Sequence, residues 1–294
     1  MSVAPALFAG LCTVDVIQAV EKVPAADEKT TASRQTVAAG GPATNAAVTY
    51  AHLGGRATLL TGVGKHALAA GVRTDLARCG VKLVDAVPER REPPPVSTIL
   101  VTLATGERAV VSTNANGYSL DPPAGLLDLV GQHKAVLVDG HHPDLARAVL
   151  VAARWAGIRT MLDGGSWKPN TPGLLPYLDV AVCSADFHAP GTEDADEVLA
   201  YLRGHGVTAA AVTDGSAPVR WSVGDTSGEV EVPVVDVVDT LGAGDVFHGA
   251  LLHALVGNPL DATTFPAALT RAAAVAARSC ASFGTRDWLR RRSA

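Results

Sequence analysis

Two aspartates bracket a run of small residues in the stretch VVDTLGAGDVFHGALLHAL, from Val237 to Leu255. Asp239 precedes Gly242, Ala243 and Gly244, and Asp245 follows them where Val246, Phe247, Ala250, Leu251, Ala254 and Leu255 begin to recur at helical spacing. The helix is expected to start around Ala243 and to stop at Gly257 and Pro259. A helix's first turn presents unpaired N–H groups and the positive end of its dipole, so the junction suits an anion. Bulky side chains at 242–244 would screen those donors, and the glycines also admit positive φ. Asp245 would repel a bound phosphate unless a proton moves. Beside a hydroxyl acceptor, however, a carboxylate is a general base, and the N–H donors hold the charge of a transferring phosphoryl group. Taken alone, the same residues also fit a plainer alternative, a capping aspartate in a tight glycine turn.

Other chemistries find less support. GAGDVFHG is not the GxGxxG dinucleotide fingerprint, and GVGKH at Gly62–His66 lacks P-loop spacing. Cys12, Cys79, Cys183 and Cys280 stand singly, with no metal-like spacing, and read as core residues in a reducing compartment. A formal charge of −5 opposes a nucleic-acid partner. The opening MSVAPALFAGLCTVDVIQAV lacks a basic start and carries Asp15, so it is read as a buried first strand and not as a signal peptide. No run approaches the ~18 apolar residues of a membrane span, and a soluble, cytoplasmic protein is expected.

The elements that must position these residues alternate regularly. AVLVD, the amphipathic PDLARAVLVAARWAG and IRTMLD form a strand–helix–strand unit, and LDVAVC, a helix near Asp194 to Arg203 and TAAAVT continue it. Near-continuous apolar strands between helices imply a mostly parallel central sheet covered on both faces, an α/β fold. Two places break the pattern. STILVTLATGERAVVST reads as a β-hairpin, and the polar segment from Ala19 to Ala38 alternates loosely, so the two suit a lid over the sheet edge.

DTLGAGDVFHGALLHAL and AAGGPATNAAVTYAHLGG, at 38–55, resemble the C-terminal and N-terminal signatures of the ribokinase, or PfkB, family of carbohydrate kinases. The likeness is nearest to the branch containing ketohexokinase and sulfofructose kinase. It implies one ribokinase-like domain over 1–294, with β-lid segments at about 16–38 and 96–113. It implies Asp245 as catalytic base, Gly242, Ala243 and Gly244 as anion hole, and Asp239 as the acid that orders the loop near a monovalent cation such as K+. Asp15, Gly41 and Asn45 match positions that bind sugar hydroxyls, and Thr213, Gly215 and Ser216 match the segment along the nucleotide. Ser112 and Asn114 at the hairpin's end, and His141 at a strand's end, are further candidates for the sugar. ATP and Mg2+ are the implied cofactors, and a homodimer through the β-lid is an implied partner state.

Departures from the family pattern bear on the metal. Where many members carry NxxE, this chain reads CSADFH, with Ser184 for Asn, Phe187 for Glu and Asp186 one place off. No metal ligands are assigned, and Mg2+ is expected to lean on water and the phosphates. Lys65 and His66 also stand where an acidic pair is usual. The expected activity is transfer of a phosphoryl group to a sugar hydroxyl. A nucleoside kinase, which would want aromatic stacking surface, and a silent sugar- or nucleotide-binding regulatory protein are the alternatives.

Overall fold

The computed structural model describes residues 4–290. The N-terminal apolar stretch, expected as one strand, forms two. β1 (Pro5–Ala9) lies in a large sheet and β2 (Thr13–Val20) in a small one. The break has a physical cause 128 residues away in sequence. A Cβ on Gly10 would lie 2.3 Å from the Asp139 carboxyl, and Asp139 Oδ2 accepts the Leu11 N–H at 2.8 Å, which turns the chain out of the first sheet. Asp15 therefore sits within β2, in the small sheet.

The chain continues through β3 (Arg34–Gly40), α1 (Pro42–His52), β4 (Arg56–Thr61), α2 (Ala67–Arg78) and β5 (Lys82–Asp85). The hairpin β6 (Val96–Thr102) and β7 (Arg108–Ser112) follows, then α3 (Leu126–Gly131), β8 (Ala135–Val138), α4 (Pro143–Trp155), β9 (Arg159–Gly164) and β10 (Val180–Ser184). The last elements are α5 (Ala195–Gly204), β11 (Ala209–Thr213), β12 (Val219–Val223), β13 (Thr226–Val230), α6 (Ala243–Leu255) and α7 (Thr264–Cys280). The large sheet runs β13-β12-β11-β10-β9-β8-β1-β4-β5, parallel except for β12 and β13. The small sheet, β3-β2-β6-β7, is the lid, and it reaches Thr13 and Gly40, beyond the expected 16–38.

Alternation along each central strand divides the core. Phe8 and Leu137 join residues of α1, α2, α6 and α7 on one face, and Leu7 and Val136 join residues of α3, α4 and α5 on the other. α1 and α6 approach very closely, because a Cβ on Gly249 would fall 2.3 Å from the Ala46 carbonyl oxygen. That contact brings the two sequence signatures side by side. Among the described residues, no helix is long and apolar enough to cross a membrane.

Candidate active site

Asp245 lies half-buried in the first turn of α6. Asn45, on the first turns of α1, donates from Nδ2 to Asp245 Oδ2 at 2.8 Å. The amide is oriented from its other end, where Arg286 Nη1 donates to Asn45 Oδ1 at 3.1 Å. A guanidinium only donates, so Asn45 must turn its nitrogen toward the aspartate. Arg286 is itself buried, donates to the Ala39 carbonyl at 2.6 Å and pairs with Asp75 at 3.1 Å. Loss of water around the carboxyl pushes Asp245 up to about 7; buried Asp163 adds to the rise, and the Asn45 hydrogen bond and His248 oppose it. A carboxylate poised near neutrality suits proton abstraction.

The loop before α6 supplies the donors. Gly242 holds a left-handed φ of 73°, and a Cβ there would stand 3.6 Å from both Asn45 Nδ2 and Asp245 Oδ2. A Cβ on Gly244 would meet nothing within 4 Å, so the approach to the helix N-terminus is open. Asp239 is buried behind the loop; its Oδ1 accepts the Leu241 N–H at 2.9 Å and its Oδ2 the Gly284 N–H at 2.7 Å. Burial raises its carboxyl above the usual range. Arg108 of β7 donates to Thr240 Oγ1 at 2.9 Å, so the lid touches the same loop.

A cavity of about 390 Å³ brings Asp15, Gly41, Asn45, Ser112 and His141 together with residues 242–245. Asp15 is buried, accepts from Thr13 Oγ1 at 2.6 Å, and is raised by desolvation. A Cβ on Gly40 would lie 1.9 Å from Asp15 Oδ2, and Gly41 has a φ of 96° beside the Leu11 carbonyl. These two contacts explain the glycine pair. Asn114, with a φ of 49°, lines the same cavity at the hairpin's end. His141 lines it too, whereas its neighbour His142 turns into the core, where burial lowers its pKa to about 4.

The four expected cofactor positions, three for the nucleotide and Asp239 for the cation loop, stand outside this cavity. Thr213, Gly215 and Ser216 sit at and beyond the end of β11, with a φ of 53° at Gly215, and Asp239 is behind the loop. β10, the strand beside β11, does reach the cavity: Ser184 and Asp186 line it, while Phe187 is buried against Trp167 with ring centroids 5.3 Å apart. Among the described residues, no group of three or more His, Cys, Asp or Glu could hold a metal by itself.

Several contributors escape sequence reasoning. Asp139 collects the backbone N–H groups of Leu11, Ala43 and His141. Arg286 sits in the unremarkable SFGTRDW, where a single arginine in an otherwise weakly charged segment is the one available signal. Ser97 and Arg108 are read only as hairpin residues, yet both line the cavity.

The family model for pfkB family carbohydrate kinases matches residues 6–291. The ribokinase of Bacillus subtilis is 26% identical over 283 residues, covering 94% of this chain and 92% of its own. A solved structure from Agrobacterium tumefaciens, provisionally assigned as a ribokinase, is 27% identical with a TM-score of 0.84, covering 99% of this chain and 100% of its own. The fold also matches Arabidopsis thaliana ribokinase complexed with ribose and ATP, at 22% identity and a TM-score of 0.78 over 99% of this chain and 100% of that one. The chain belongs to the pfkB family of carbohydrate kinases, phosphotransferases that act on an alcohol group.

Proposed function

We propose that this chain is an ATP-dependent sugar kinase that phosphorylates a primary hydroxyl of a monosaccharide or sugar derivative. The observation that carries this reading is the Asp245 carboxyl, held by Asn45 at 2.8 Å beside an open helix N-terminus, where loss of water pushes it up to about 7. Asp245 takes the proton of the acceptor hydroxyl, and the backbone N–H groups of 242–244 hold charge that develops opposite it. ATP supplies the phosphoryl group and Mg2+ offsets its charge when both are bound. The loop fits such an anion, since Gly242 takes a left-handed φ of 73° that favours glycine and a Cβ on Gly244 would meet nothing within 4 Å, which leaves the N–H donors uncovered. Thr213, Gly215 and Ser216 are the residues we assign to the nucleotide. Asp186 and Ser184 are those that would meet Mg2+ through water, in keeping with its few protein ligands. Each Asp239 oxygen accepts one N–H group and keeps a further lone pair, so the residue can order the loop and still face a monovalent cation such as K+.

The acceptor is read from the cavity wall. Asp15, Asn45, Ser97 and Ser112 offer hydroxyl partners, and among the described residues no Phe, Tyr or Trp side chain lines the cavity. A nucleoside would lack a stacking surface there. Val37 and Val111 leave exposed apolar surface on lid strands, which suits a homodimer through the lid. The test is ADP release with Mg·ATP against ketohexoses, pentoses, sugar phosphates, sulfofructose and nucleosides. Turnover on a sugar is expected. Turnover confined to nucleosides would replace the acceptor, and silence with ligands still raising Tm would point to a binding protein.

A further inference from the structure

α6 buries His248 beneath the anion loop, and both of its ring nitrogens face acceptors. Nδ1 lies 2.6 Å from the Gly244 carbonyl oxygen and Nε2 lies 3.1 Å from that of Val182. A carbonyl never donates, and a neutral imidazole carries a single N–H. Either neutral tautomer would aim a ring lone pair at a carbonyl oxygen inside the protein, where unmatched polar groups cost most. A counter-charge is in place. Asp163 Oδ2, on β9, is 3.4 Å from His248 Nδ1, and among the described residues that oxygen receives no hydrogen bond. An unpaired buried carboxylate is costly, so each charge removes the penalty of the other.

We propose that His248 is a fixed imidazolium, paired with Asp163 beneath the anion hole, and that it positions and charges the first turn of α6. Its Nδ1–H holds the Gly244 carbonyl. The 244–245 peptide is planar and trans, so holding that oxygen also aims the Asp245 N–H the opposite way, toward the helix N-terminus. The role in catalysis rests on the kinase reading; the charge does not. Burial pushes the Asp163 carboxyl up and Asp139 beyond β8 adds to the rise, while His248 and, from loops, Lys168 and His141 oppose it; Asp245 on the same helix and Cys183 on β10 also face the pair. Asp163 raises the Asp245 carboxyl and His248 lowers it, so the two ends of the pair oppose each other at the base. The competing arrangement, a protonated Asp163 beside a neutral imidazole, gains no hydrogen bond at 3.4 Å and keeps the lone-pair clash.

The test is ¹⁵N NMR of protein labelled at its 9 histidines, with His248 assigned by its loss in His248→Gln. We expect two exchange-protected ring N–H signals with imidazolium shifts at pH 7. In Asp163→Asn the same residue should become a neutral tautomer at pH 7.5. A neutral His248 at pH 7 in the wild type would overturn the proposal, as would an imidazolium unchanged in Asp163→Asn. If His248→Gln does not fold, the Asp163→Asn perturbation assigns the signal. In kinetics, His248→Gln should lower kcat about tenfold and move its acid limb upward, with sugar KM unchanged. An unchanged kcat and limb would overturn the catalytic part. Lack of turnover on any sugar would count against the kinase reading alone, since the NMR result needs no substrate.

Discussion

Asn45 and Asp245 stand 200 residues apart in sequence and 2.8 Å apart in space. α1 carries one and α6 the other, and the Ala46–Gly249 contact sets their approach. The hydrogen bond favours the charged form of the aspartate, against burial and Asp163. Asn45→Ala should therefore raise the Asp245 pKa further, moving the acid limb of kcat upward and lowering kcat at pH 7 by roughly tenfold. A kcat–pH profile of the variant checks this. An unmoved limb would mean the amide does not tune the base.

Gly244 and Gly249 separate the loop's chemistry from its packing. Gly249→Ala should cost about 1–3 kcal/mol in urea unfolding, because its Cβ would meet the Ala46 carbonyl oxygen at 2.3 Å. Gly244→Ala should keep or slightly raise stability, since no atom lies within 4 Å of that Cβ and alanine favours helix. Its kcat should nevertheless fall by roughly tenfold or more as the methyl enters the path to the N–H donors.

The raised Asp245 pKa has a stability consequence whose sign is fixed. The folded chain holds this proton up to about pH 7, whereas the unfolded chain releases it near 3.8. Stability supplied by the bound proton is therefore complete at low pH and is lost as pH rises from about 3.8 to about 7. Asp245→Asn keeps the shape without the charge. Thermal melts should show the variant more stable than wild type at pH 8, with the difference closing at pH 4. This is the trade expected of a carboxyl kept in a partly dry site for the base role proposed.

Much of this site is legible in the sequence, because Asp245, its glycine loop and Asn45 lie in contiguous signatures whose local structure carries their meaning. The regular strands and helices from Ala135 onward follow from apolar periodicity alone. What escapes depends on contacts between distant segments. The break at Gly10 exists because Asp139 captures Leu11, and nothing near Gly10 announces it. Arg286 acquires its role only when the segment after α7 folds onto α1. The altered CSADFH segment divides by side-chain direction, Asp186 to the cavity and Phe187 to the core, which a motif comparison by position does not separate.

The proposed kinase chemistry turns on Asp245 taking a proton from a sugar hydroxyl. Its most direct test is Asp245→Asn on the sugar that wild type turns over best, with kcat from ADP release and sugar affinity from calorimetry on the same samples. A loss in kcat of roughly 10²-fold or more, with the sugar Kd within about twofold of wild type, is the predicted result. Retained turnover in a variant that binds the sugar normally would contradict it and remove Asp245 from the role of base.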